Sequence, residues 1–161
     1  MHDVLAWIEA STLGHLMRET GAWTYAIVNL THILGIATLF GAILVMDLRL
    51  LGFFRHVPLG ALSAATTPVG GAGLAVALPS GIALLSANAT EYVGNPFFLI
   101  KFPAIAFGLL NIAVLMRSRA WQARAARELS AGERRQLAVM GGISLCSWLT
   151  AVAAGRMIGY W

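Results

Sequence analysis

The stretch Trp23-Thr24-Tyr25-Ala26-Ile27-Val28-Asn29-Leu30-Thr31-His32-Ile33-Leu34-Gly35-Ile36-Ala37-Thr38-Leu39-Phe40-Gly41-Ala42-Ile43-Leu44-Val45-Met46 contains no Asp, Glu, Lys or Arg and stops at Asp47 and Arg49. It exceeds the ~20 residues an α-helix needs to cross a hydrocarbon core ~30 Å thick. A surface helix of a soluble domain keeps a polar face opposite its apolar stripe; here apolar side chains fall on every side. The bilayer is the solvent such a segment requires.

Three more blocks repeat the pattern. The second spans about 59–87 and holds Pro68, Gly70, Gly71, Gly73, Pro79 and Gly81. Pro79 lacks a backbone N–H and predicts a kink near the middle of this span. The third begins at Pro96 with Asn95 as N-cap, spans about 96–116, and is expected to continue as a helix through Arg127. Ser130-Ala131-Gly132-Glu133 reads as a capping box before the fourth span, about 136–160. Residues 3–19 mix apolar and charged side chains, are too polar to span, and read as a short amphipathic interfacial helix broken near Ser11-Thr12. The expected fold is all-α: one domain, 1–161, forming a four-helix transmembrane bundle with a short N-terminal periplasmic interfacial helix.

Composition agrees. Of 161 residues, 58% are hydrophobic and 11% charged, with mean hydropathy +0.76, whereas soluble domains carry about 25% charged residues. The net charge of +4 comes mostly from arginines in one loop, and no polar domain interleaves basic with aromatic residues, so nucleic acid is not an expected partner. Arg49 and Arg55 lie in the first loop, and Arg117, Arg119, Arg124, Arg127, Arg134 and Arg135 in the third; the second, Asn88 to Asn95, has neither Lys nor Arg. The positive-inside rule then places both termini on the periplasmic side of a bacterial inner membrane. Trp7, Trp23, Tyr92, Tyr160 and Trp161 form an outer aromatic belt. The N-terminus has no basic region leading a short apolar run, so no removable signal peptide is expected. The single cysteine, Cys146, excludes an internal disulfide and any CxxC site, and reads as a small buried hydrophobe.

Ionisable groups within spans are costly and point to function by default. His32, Lys101 and Arg156 all fall in the outer half of the membrane, His32 at a depth of ~10 Å and the others at ~5–8 Å. Asn29, His32 and Gly35 share a helical face, on which Gly35 is expected to leave room for something flat. The chemistry this pattern suits is an imidazole ligating haem iron, with Asn29 beside it. A neutral histidine bonded across a helix interface is the plain alternative. Ala151, Gly155 and Gly159 form a small-residue stripe beside Arg156, which is suited to clamping a carboxylate. Lys101 suits a propionate or a lipid phosphate. Snorkelling to the surface explains either cation alone. His15 lies on the same side and is a second candidate metal ligand. No GxSxG, HExxH, Walker loop or carboxylate pair occurs within a span, so hydrolysis and proton pumping have no visible machinery.

Leu30-Thr31-His32-Ile33-Leu34-Gly35-Ile36, the exit Asp47-Leu48-Arg49-Leu50-Leu51-Gly52, Asn95-Pro96-Phe97 and Gly155-Arg156-Met157-Ile158-Gly159-Tyr160 together resemble an uncharacterised bacterial family of small four-span membrane proteins, over nearly the whole chain. That resemblance implies architecture. The His-Ile-Leu-Gly span with its basic exit is also similar, more loosely, to four-span membrane protoporphyrinogen oxidases, the copper-resistance D-type domain and small b-type cytochromes. These imply haem b, with His32 as ligand and Arg156 and Lys101 as propionate partners. Bis-histidine cytochromes draw two histidines from their spans, and this chain offers one unless His15 folds in. The expected function is haem b binding for electron transfer or ligand sensing, with a quinone or a periplasmic redox protein as partner and, were it an enzyme, oxidoreductase chemistry. Two other readings stay open: a metal or small-molecule transporter using the broken second span, which would need a homo-oligomer, and a colourless accessory subunit of a larger complex.

Overall fold

The computed structural model describes residues 2–161, and every element among them is helical. Two short helices lead, α1 (His2–Glu9) and α2 (Thr12–Glu19). Four long ones follow: α3 (Gly21–Leu51), α4 (Leu59–Ala87), α5 (Pro96–Arg117) and, after the short α6 (Arg119–Ala123), α7 (Ala131–Met157). By length and composition all four long helices can cross a membrane, which suggests a multi-pass membrane protein. Threonines inside the apolar helices satisfy their own hydroxyls. Thr31 and Thr38 donate to the Ile27 and Leu34 carbonyl oxygens one turn back, at 2.8 Å each.

Local chemistry sets the boundaries. Ser11 ends one helix and starts the next: its hydroxyl donates to the Ile8 carbonyl at 2.6 Å and accepts from the Gly14 amide at 3.2 Å. Gly52, with φ 106°, terminates α3 in the left-handed conformation that a side chain disfavours. The Ser130–Glu133 capping box is present in full. Two expectations shift. The first helix runs on through Asp47 and Arg49 to Leu51. The third stops at Arg117, because Ser118 turns out and caps α6 through the Trp121 amide at 3.2 Å.

Packing divides the chain into two compact units, 1–39 with 71–95 and 40–70 with 96–161. In the first, α1 and α2 dock on the end of α4 and the turn that follows it. Arg18 donates to the Ala87 carbonyl at 3.0 Å and to the Glu9 carbonyl at 3.0 Å, satisfying acceptors that a helix end leaves open. The Glu9 carboxylate accepts from the Thr90 amide and the Thr90 hydroxyl, both at 2.7 Å. A Cβ on Gly14 would collide with the Glu9 and Ser86 carbonyl oxygens, so the corner is closed to any other residue.

In the second unit the core gathers Met46, Leu50, Leu115, Ala120, Trp121 and Leu137. α5 and α7 run antiparallel: Lys101 faces Gly155, Gly108 faces Trp148, and the Asn111 amide donates to the Met140 carbonyl at 2.9 Å. Their buried positions, Ala104-Gly108-Asn111-Leu115 and Leu137-Gly141-Ser144-Trp148-Ala151, step by four and three residues, the spacing of a coiled-coil seam. Cys146 lies off that seam and is exposed, so it is not the buried hydrophobe its apolar neighbours suggested.

Thr90 holds the Glu9 carboxyl below its ordinary value, first through its amide and then through its hydroxyl, with the Arg18 charge a smaller contribution. A depressed carboxyl stabilises docking above the usual carboxylate range and loses that contribution as pH falls through the folded value. Amide exchange at Thr90, corrected for intrinsic rate, should therefore be slow at neutral pH and quicken on acidification below the usual carboxylate range. Glu9→Gln should flatten this dependence; a wild-type profile without pH dependence would contradict it.

Candidate functional site

His32 is half-buried on α3 in the first unit. Its Nδ1 lies 2.9 Å from the Ala77 carbonyl oxygen and 3.1 Å from Ser80 Oγ on α4. The neighbours decide the tautomer. A carbonyl oxygen only accepts, and the Ser80 hydroxyl has the Val76 carbonyl at 2.6 Å and the Ala77 carbonyl at 3.2 Å as acceptors on its own helix. With a proton on Nδ1 the ring donates to the Ala77 carbonyl, which can only accept.

The glycines around His32 serve helix contact. A Cβ on Gly35 would sit 2.8 Å from the Ala77 backbone nitrogen, and one on Gly73 would collide with the Leu39 backbone. One on Gly81 would sit 2.8 Å from His32 Cε1, so the imidazole itself fills that gap. Gly73, Ala77 and Gly81, spaced four apart, thus form a small-residue stripe on which α3 lies closely. The space beside Gly35, expected to admit something flat, is occupied by α4. A shallow groove of about 390 Å³ opens nearby, lined by Val28, Thr31, Val76, Pro79, Ser80 and Ala83 among others. Asn29 is exposed and makes no hydrogen bond among the described residues. His15, also exposed, lies 3.7 Å from Glu19 on its own helix. Among the described residues no group of three or more His, Cys, Asp or Glu is placed to hold a metal.

Lys101 and Arg156 belong to the second unit. The Lys101 side chain lies over Gly155, with Cε and Nζ each 3.5 Å from where a Cβ would stand. Arg156 is exposed; its guanidinium sits 4.4 Å from the Tyr160 ring centroid and bonds the Tyr160 hydroxyl. Of the small stripe beside it, Ala151 is buried, Gly155 accommodates Lys101, and Gly159 has open space around it.

A group absent from the expected site is Asp47. The residue is 3% exposed, Ser144 is its hydrogen-bonding neighbour, and its Oδ2 has no hydrogen-bond partner among the described residues. Its backbone carbonyl abuts Gly141. Trp148 Nε1, packed on Gly108, is likewise buried without a partner among the described residues. The sequence signal was the seam Gly141-Ser144-Trp148, which marks the α7 face where a polar group from α3 would be enclosed.

The closeness of α3 and α4 is directly checkable. A methyl group at position 73 must displace the Leu39 backbone, whereas Gly71 has nothing within 4 Å. Gly73→Ala should lower stability in detergent by about 1–3 kcal/mol, the usual cost of overpacking. Gly71→Ala should be neutral or slightly stabilising. Equal effects in a thermal-melting comparison would contradict the contact.

No curated protein and no solved structure matches this chain. A family profile does match it, over residues 4–161, and by that match the chain belongs to DUF6644, a family of unknown function.

Proposed function

We propose that this chain is a haem b-binding integral membrane protein in which His32 supplies an axial ligand, serving electron transfer or the sensing of a small ligand. The observation that supports the reading is the tether of His32 Nδ1 to the Ala77 carbonyl, at 2.9 Å. Metal-ligating histidines commonly donate their second ring N–H to a carbonyl or carboxylate, which fixes ring orientation and raises the basicity of the ligating nitrogen. The donor chemistry thus fits one axial position. The porphyrin slot proposed from Gly35 does not fit, and Lys101 and Arg156, which lie in the other unit, are not assigned to this site. Bound haem would supply a one-electron couple or an open coordination position. The protein's part is to hold and orient the imidazole.

The arginine distribution supports an orientation with both termini outside an inner membrane, α1 and α2 resting at the outer interface. A quinone or an outer redox protein would then be the natural exchange partner. The accessory-subunit reading also has an observation in its favour: the closed contact at Gly35 and Gly73 packs two helices and leaves no slot between them. Transport through a broken second span has less behind it. α4 is helical without interruption from Leu59 to Ala87, and the Val76 and Ala77 carbonyls near Pro79 accept from Ser80 and His32.

The absorption spectrum of detergent-purified protein from haem-sufficient cells tests the proposal. A Soret band with reduced-state b-type bands is expected, abolished in His32→Ala. Ser80→Ala, which removes one neighbour of Nδ1, should weaken haem retention by roughly tenfold. A colourless protein that takes up no haem on titration would overturn the proposal in favour of the accessory subunit.

A further inference from the structure

Asp47 poses a problem of charge. Of the spanning segments in the second unit, residues 40–51 carry Asp47 and Arg49, and residues 59–70, 102–116 and 136–155 carry no charged side chain. Arg49, on the same helix, donates its Nε to the Val57 carbonyl at 2.8 Å, closing the first loop. Arg124 of the α6 region donates to Ser63 at 2.7 Å and stacks on Trp121. Arg117, Arg119, Arg134, Arg135 and Arg156 are exposed and Lys101 lies over Gly155, so among the described residues no cation forms an ion pair with Asp47. The residue is 3% exposed, with the Ser144 hydroxyl beside it and Oδ2 without a partner among the described residues. An ionised carboxylate in such surroundings carries an uncompensated desolvation cost, whereas a neutral acid carries only that of a weak polar group.

We propose that Asp47 and Ser144 form a proton-binding site inside the second unit, where the carboxyl group rests neutral at physiological pH. Its unpartnered Oδ2 is the carbonyl oxygen of the acid, and its proton sits on Oδ1, facing the Ser144 hydroxyl. The assignment follows from the pairing: the oxygen without a partner tolerates that state best as an uncharged carbonyl, while an O–H needs an acceptor. The ligand is the proton itself. The surroundings suit a proton better than a metal cation, because only one carboxylate and one hydroxyl converge where a hard cation takes six or more oxygens. The buried, unpartnered Trp148 indole N–H lies one turn further along the same α7 face. The layer around Asp47 is thus under-satisfied at two points, which is characteristic of a site whose hydrogen bonding changes in use. This inference is independent of any cofactor at His32.

Infrared spectroscopy of the full chain, in a detergent without ester groups and at neutral pH, provides the test. Asp3 and Asp47 are the only aspartates in the sequence, and Asp3 is fully exposed. Labelling aspartate with ¹³C at its side-chain carboxyl therefore isolates Asp47 without mutation. A protonated-acid carbonyl band is expected that shifts with the label and with deuterium oxide, and that is insensitive to exchange of sodium for potassium or choline. Asp47→Asn should remove it and Asp47→Glu should restore an unlabelled band. Absence of a label-sensitive acid band would overturn the proposal. So would a band seen only when sodium and potassium are withdrawn, which would mean that a metal cation occupies the site.

Discussion

In a hydrocarbon solvent an apolar side chain gains nothing by turning inward, so the long helices of this chain depend on how closely their backbones approach. Both units show the same solution. In the first, Gly35, Gly73 and Gly81 let α3 and α4 meet with backbone and imidazole in the spaces side chains would take. In the second, Gly108, Gly141 and Gly155 receive Trp148, Leu50 and Lys101. Close approach has a consequence for chemistry: it brings a side chain from one helix within bonding distance of a carbonyl on the next. The His32–Ala77 hydrogen bond exists because Gly35 and Gly81 remove the bulk that would otherwise hold the ring away.

That logic explains what the sequence could and could not disclose. Apolar length gave the four spans, because no soluble alternative accommodates such blocks. Asn95-Pro96 and the Ser130–Glu133 box placed helix starts, because capping is local chemistry. Ser118, by contrast, looked like a helix interior until α6 was seen to be capped by it; the serine's competing bond to the Trp121 amide decides the break. The faces of the spans were harder to read. When nearly every residue is apolar, periodicity carries little information, so Cys146 looked enclosed and is exposed, and Gly35 looked vacant and is filled.

Asp47 was hidden for a related reason. An acid at the end of an apolar block normally marks the membrane surface, and the helix was expected to finish there. Instead α3 continues to Leu51, and Gly141 opens the α7 face so that Asp47 is enclosed beside Ser144. The two polar groups therefore differ in kind. His32 is oriented by a backbone carbonyl, with Nδ1 2.9 Å from the Ala77 oxygen. Among the described residues Asp47 forms no ion pair and keeps an oxygen without a partner. Both consequences follow from hydrogen-bond bookkeeping in a solvent that supplies none.

The central claim is that α4 fixes His32 as the Nδ1–H tautomer, which under the haem proposal leaves Nε2 to ligate. Ring ¹⁵N chemical shifts test this most directly, with His32 identified by comparison with His32→Gln among the four histidines of the chain. The account predicts a protonated, pyrrole-type Nδ1 and a basic, pyridine-type Nε2 in haem-free protein, with Nε2 alone shifting strongly on haem addition. A protonated Nε2 with a basic Nδ1 would contradict it.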